Sequence, residues 1–170
     1  MTSEPSNAVP AALPEGRFGG RSEFGALVRQ ALAAAAAQGW SEVVWCDPDF
    51  ADWPLGERLV TQALRDWSSS GRKLTLLATN YDVMLSRHAR FVTWRRAWSH
   101  LVECRKSGAA SANNLPSALW SPVWMFERLD IVHSTGVASS QAARRMALKE
   151  RLNECLLNSS AGLGASVLGL

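Results

Sequence analysis

The fold of this chain turns on residues 42–55, Glu42-Val43-Val44-Trp45-Cys46-Asp47-Pro48-Asp49-Phe50-Ala51-Asp52-Trp53-Pro54-Leu55. The apolar run Val43 to Cys46, closed by Asp47-Pro48, is too short for a helix and lacks the alternation of a half-exposed strand. It fits a strand buried on both faces, the pattern of a parallel sheet. Beyond it Leu59, Val60, Ala63, Leu64 and Trp67 recur at helical spacing, predicting a helix over Leu55 to Ser69 that the Ser-Gly turn before Arg72 stops. Lys73 to Ala78 then reads as another buried strand ending in Thr79-Asn80. Strand, helix and strand make a βαβ unit, right-handed by default.

Working outward toward the amino terminus, Phe24, Leu27, Val28, Ala31, Leu32 and Ala35 predict a helix with Ser22 as N-cap and Gly39 as its end. Residues 1–20 have no hydrophobic period and are expected to be a disordered leader. Toward the carboxyl terminus, Asp82 is placed to cap a helix running to about Ser99, and His100 to Arg105 fits a third strand. Ser107 to Ser117 has loop composition. Val123 to Phe126 and Leu129 to His133, separated by Glu127-Arg128, suit a β-hairpin. Ser139 or Ser140 caps a last helix carrying Met146, Leu152 and Leu156, and residues 159–170 are expected to fray as a flexible tail. The expected fold is therefore α/β: one domain over residues 21–158, a mixed sheet with a parallel βαβ core, a late hairpin and flanking helices.

Composition narrows the class. A chain of 170 residues, 47% apolar, can bury a core without disulfide staples, and a net charge of +3 excludes an acidic or supercharged protein. Cys46, Cys104 and Cys155 are odd in number and widely spaced, which speaks against a disulfide framework or a zinc site and fits the cytoplasm. The amino terminus lacks the charge and apolar core of a signal peptide, and the greasy run Ala31 to Ala37 falls far short of the roughly twenty residues of a membrane span.

In open α/β sheets ligands collect beyond the carboxyl ends of the strands, so Asp47, Asp49, Asp52, Thr79 and Asn80 lie where a ligand site is expected. Asp47, Asp49 and Thr79-Asn80 resemble two motifs of the haloacid-dehalogenase-like phosphatases, in which the first Asp is the nucleophile, the second the acid/base, and the carboxylates hold Mg²⁺. The lysine and later acidic pair of that family have no counterpart: Lys106 and Lys149 are the lysines beyond Lys73, and Asp130 stands alone. The same aspartates also suit ordinary turn and cap chemistry.

A second resemblance covers residues 20–135. The elements Asp47-Pro48-Asp49 and Asp52-Trp53-Pro54-Leu55, within this order of helices and strands, resemble small bacterial proteins of a half-size phospholipase D-like type, to which no activity is assigned. Phospholipase D chemistry needs His-x-Lys-x4-Asp. His88 and His100 do not supply it, and His133 has Thr135 and Ser140 where lysine and aspartate belong. The resemblance therefore implies a catalytically silent relative, with His133 its weak remaining nucleophile candidate and no cofactor, acting as a binding or protein-interaction module.

Two features suggest partners. Arg87, Arg90, Arg95, Arg96, Arg105 and Lys106 stand against Glu103 alone, so the Arg87–Arg96 helix could bind phosphate ligands or nucleic acid, with Trp94 and Trp98 available for stacking. A solvated helix face is the plain alternative. Of the eight tryptophans, Trp45 and Trp67 are expected in the core and Trp53 under the Asp loop, while Trp120 and Trp124 fall in an expected edge hairpin that would serve a homodimer or protein partner.

Overall fold

The computed structural model describes residues 12–109 and 114–163. Its elements run β1 (Gly16–Phe18), α1 (Arg21–Gln38), β2 (Glu42–Cys46), α2 (Arg58–Ser68), β3 (Lys73–Ala78), α3 (Asp82–Arg87), α4 (Ala89–Ala97), β4 (Val102–Ser107), β5 (Ser117–Trp120), β6 (Met125–Asp130), β7 (Thr135–Ser139), α5 (Ala142–Leu157) and β8 (Ser159–Ala161). They form an α/β fold around one eight-stranded mixed sheet of order β1-β7-β6-β5-β2-β3-β4-β8. The parallel core is β2-β3-β4, with Val44 opposite Thr75 and Leu76 opposite Cys104. The strands over 42–46 and 73–78 fall where their buried runs place them.

The helices differ from expectation for local reasons. Helix α1 starts at Arg21 rather than inside a Ser22 cap, because Gly20 takes φ 93° and its carbonyl receives the Phe24 N–H. Gly39 ends it in the left-handed conformation, as expected. Pro54 to Gly56 form a turn before α2, and Leu59, assigned by periodicity to the inner face, is 76% exposed while Val60, Leu64 and Trp67 face inward. The helix expected over 82–99 breaks at His88, whose buried ring bonds the Phe50 carbonyl at 2.8 Å through Nε2. Anchoring that ring to the loop after β2 separates α3 from α4. Asp82 lies in the first turn of α3, and Tyr81 is its N-cap.

The expected hairpin is a three-stranded meander in the middle of the sheet. Glu127-Arg128 lies inside β6 instead of forming a turn. The actual turn is Ser121 to Trp124, where the Ser121 hydroxyl receives the Val123 and Trp124 N–H groups and donates to the Trp124 carbonyl. Strand β5 runs antiparallel beside β2, so this unit is not an edge. The true edges are short: β1 pairs with β7 and β8 with β4, three residues each. Both lie in segments expected to be leader and tail; such brief strands carry no period to read, and their shortness limits pairing with other chains. Of the leader, residues 1–11 lie outside the described residues, as do residues 164–170 of the tail.

Helices α1, α2 and α4 cover one sheet face over an aromatic core in which Trp53 meets Phe24, Trp45, Phe50 and Phe126 at centroid distances of 5.0–5.9 Å. Helix α5 covers the other through Leu148 and Leu152 against Val44, Cys46, Leu77 and Met125, with Gln141 rather than Ser139 or Ser140 at its N-cap. No helix among the described residues is long and apolar enough to cross a membrane.

Candidate functional site

At the carboxyl end of β2 the chain builds a closed ionic cluster. Trp124, Phe126 and Arg128 alternate along the meander and all are buried, so the pleat turns the guanidinium inward with the two aromatics. A bulge between Arg128 and Asp130 shifts the register beyond it, and Leu129 is exposed. The Arg128 side chain is 1% exposed and the Asp47 side chain 2%. Arg128 donates from Nη2 to Asp47 Oδ1 at 2.9 Å, from Nη1 to Asp52 Oδ2 at 2.9 Å and Ser134 Oγ at 3.2 Å, and from Nε to Ser117 Oγ at 3.1 Å. Its carbon end lies 4.2 Å from the Phe24 ring centroid.

Asp47 is equally committed. Oδ1 also accepts from Ser117 Oγ at 2.6 Å, and Oδ2 accepts the Asp49 and Phe50 N–H groups at 3.2 and 2.8 Å. Phe50, with φ 59°, completes this turn in the left-handed region. Every oxygen of the carboxylate is occupied by protein donors. It has no free lone pair facing a substrate or a cation.

The other aspartate-loop residues serve their own turns. Asp49 accepts the Ala51 N–H at 2.9 Å. Thr79 and Asn80 donate their N–H groups to the Pro48 carbonyl, Asn80 Oδ1 accepts from the Asp82 N–H, and the buried Thr79 hydroxyl has no partner among the described residues. Asp47 thus converges with Asp52 on Arg128, while Asp49, Thr79 and Asn80 do not join that cluster. Among the described residues no three His, Cys, Asp or Glu side chains are grouped to hold a metal ion. His133 sits exposed in the β6–β7 turn, its Nδ1 2.7 Å from Asp130 Oδ2, and that bond holds the Asp130 carboxyl below its usual range.

The basic helix is divided rather than continuous. Arg87 and Arg96 are exposed, Arg90 donates to the Gly56 carbonyl, and Arg95 is buried with Nη2 on the Leu163 carbonyl at 3.2 Å. Two tryptophans expected at an interface are in the core: Trp94 bonds Ser68 Oγ and Trp124 bonds the Pro14 carbonyl. Trp98 and Trp120 are half-buried; Trp120 lies under Lys149, whose ammonium is 4.0 Å from the ring centroid.

An open groove of about 380 Å³ runs from the amino-terminal ends of β3 and β4 along β4 as far as Arg105, with Ala161 of the short edge strand β8 in its wall. Its charged lining is Arg72, Lys73, Arg95, His100 and Arg105 against Glu103. Glu103 is shared between Lys73 at 3.5 Å and Arg105 at 3.7 Å, and Arg105 is fixed by Ser159 through Nε at 3.0 Å and Nη2 at 2.8 Å. Arg72 is exposed and makes no ion pair among the described residues. Trp98 and His100 form an aromatic pair beside it, centroids 5.7 Å apart.

Neither Arg128 nor this groove was apparent from the sequence. The period-two series Trp124, Phe126, Arg128 marks the first; the adjacent cations Arg72-Lys73 at a strand start mark the second.

No family model and no curated protein matches the chain. Among solved structures it is similar to TrmBL2, an archaeal chromatin protein whose structure shows a novel mode of DNA binding, at a TM-score of 0.65 and 15% identity. The match covers 91% of this chain and 56% of that one, so the chain spans about half the length of this neighbour. The likeness is one of fold.

Proposed function

We propose that this protein is a non-catalytic, phospholipase D-like binding module whose ligand is nucleic acid, held through its phosphates. One observation carries the proposal: the aspartates at the carboxyl end of β2 are neutralised by Arg128, whereas the groove along β3 and β4 is lined by more cations than carboxylates. A phosphoryl-transfer site needs groups free to attack and to stabilise developing charge, and Asp47 and Arg128 are consumed by each other. The phosphatase alternative needs Asp47 as nucleophile, and both oxygens of that carboxylate are taken by Arg128, Ser117 and the Asp49 and Phe50 N–H groups. Nucleic acid is favoured over other anions because the surplus cations lie beside exposed aromatic surface, and because the structural neighbour is described as binding DNA. Such a module would work as a reduced protein in the cytoplasm, its three thiols free.

The test is fluorescence anisotropy with mixed-sequence oligonucleotides across a salt series. Affinity is expected to fall steeply with salt, because binding displaces counterions from the phosphates. Absent or salt-insensitive binding would overturn the nucleic-acid part. Phosphodiesterase turnover that disappears in His133→Ala would overturn the non-catalytic part.

A further inference from the structure

We infer that the groove at the start of β3 and β4 is a single-strand site, in which an unpaired base stacks on the Trp98–His100 pair while the flanking phosphates lie on Arg72, Lys73 and Arg105. This rests on the nucleic-acid proposal above and moves the contact from the outer face of α3 and α4, where sequence placed it, to the end of the sheet.

Three observations converge on it. The first is charge. Lys73 and Arg105 share Glu103, which offsets one of them, and Arg72 adds an exposed cation, so the lining remains positive. Arg72 stands just before β3 and Lys73 is its first residue, and both line the groove. Arg105 is held in place by Ser159 and need not be ordered when a ligand arrives.

The second is aromatic surface. His100 is exposed and lines the groove, backed by the half-buried Trp98 at 5.7 Å between centroids and 40° between planes. Base faces in a duplex are hidden by their neighbours in the stack, whereas an unpaired base offers a whole face to such a ring. The third is size. At about 380 Å³ the groove lies at the lower end of small-ligand sites, matching a nucleotide unit rather than a broad helical surface. The cations and the His100 ring of this lining suit backbone and stacking contacts rather than base edges. Modest sequence preference follows.

The experiment compares one mixed-sequence oligonucleotide, single-stranded and as its duplex, for the full chain at several salt concentrations. The single strand is expected to bind more tightly. Arg72→Ala should lower the slope of log affinity against log salt by about 0.7, the loss of one phosphate contact on a single strand. His100→Ala and Trp98→Leu should weaken binding about tenfold at fixed salt with the slope unchanged. His100 is exposed, so its variant keeps the test valid if Trp98→Leu unfolds. Arg58→Ala, on an exposed position of α2, should change neither quantity. Equal or tighter duplex binding overturns the single-strand site. So does wild-type binding by Arg72→Ala and His100→Ala while Arg87→Glu weakens it; in both cases nucleic-acid binding itself survives. Failure of every nucleic acid to bind removes both proposals together.

Discussion

The two ends of the parallel strands hold similar side chains and treat them in opposite ways. At the carboxyl end, Arg128 is sealed among Asp47, Asp52, Ser117 and Ser134 beneath Phe24. At the amino-terminal end of β3, Arg72 is exposed and Lys73 shares Glu103 with Arg105, which lies further along β4, over an open groove. A charge taken out of water must be matched by its own protein, and once matched it is unavailable to a ligand. The closed end is committed to folding, whereas the open end keeps charge that the proposed ligand would use. The usual place to look for a ligand in such a sheet is the end that this chain has filled with its own arginine.

The sharpest way to break that contrast is to empty the closed end. Arg128→Met should destabilise the protein by about 3–5 kcal/mol, since it leaves the Asp47 carboxylate buried without its cation. Chemical denaturation measures this. Combining it with Asp47→Asn should recover part of the loss, because the uncompensated charge is gone; an equal or larger loss in the double variant would mean that the turn bonds of Asp47 dominate instead. Next in size is Gly136→Ala. Gly136 pairs with Arg128 across β6 and β7, and a Cβ there would strike the Glu127 carbonyl, lie 2.7 Å from the Phe18 ring and 2.8 Å from the Arg128 Cα. About 1–3 kcal/mol is expected from such overpacking. A neutral result would show that the strands can part at this point without loss.

The open end should respond in the reverse manner. Arg72→Glu with Lys73→Glu is expected to move stability by no more than about 0.5 kcal/mol per site, since both side chains are exposed and the Lys73–Glu103 pair is a surface ion pair. Oligonucleotide binding should be lost in the same variant. A large stability loss would place these cations with the scaffold and dissolve the distinction between the two ends.

Much of the scaffold was legible in the residues. The buried strands over 42–46 and 73–78, and the left-handed end of α1 at Gly39, follow from local pattern, because continuous apolar runs and a terminal glycine each have one economical structure. The site was less so. Glu127-Arg128 read as a turn because two adjacent charges interrupt an apolar stretch, and only their tertiary partners explain why one of them is buried. Leu59 shows the same limit, since its spacing put it on the inner face while packing of α2 against α1 and α4 turned Val60, Leu64 and Trp67 inward; His88 is buried as its period implies, but its bond to Phe50 breaks the helix there. The groove was invisible because it joins three segments distant in sequence.

The thiols give the smallest test, and it separates the two ends by chemistry rather than by charge reversal. Burial pushes the Cys46 thiol well up, and Cys155 and Asp47 add to the effect; burial also raises Cys104, but there Arg95 opposes it. Burial raises the Cys155 thiol as well, but this side chain is half-buried and less shielded from reagent. Thiolate is the reactive form, so alkylation of the folded protein should proceed at Cys155 first, then Cys104, with Cys46 slowest. Raised values in the native state mean that it holds protons which the unfolded chain releases. Stability should therefore be intact below the ordinary thiol range of about 8.5 and fall as the pH rises above it. Tyr81, raised by its burial, adds to the decline at higher pH. Urea midpoints at pH 7 and 10 measure the loss, and Cys46→Ala should shrink it more than Cys104→Ala does. The opposite ranking would mean that the carboxyl end of β2, where α5 covers Cys46, admits water more readily than the groove, and the contrast between closed and open would fail.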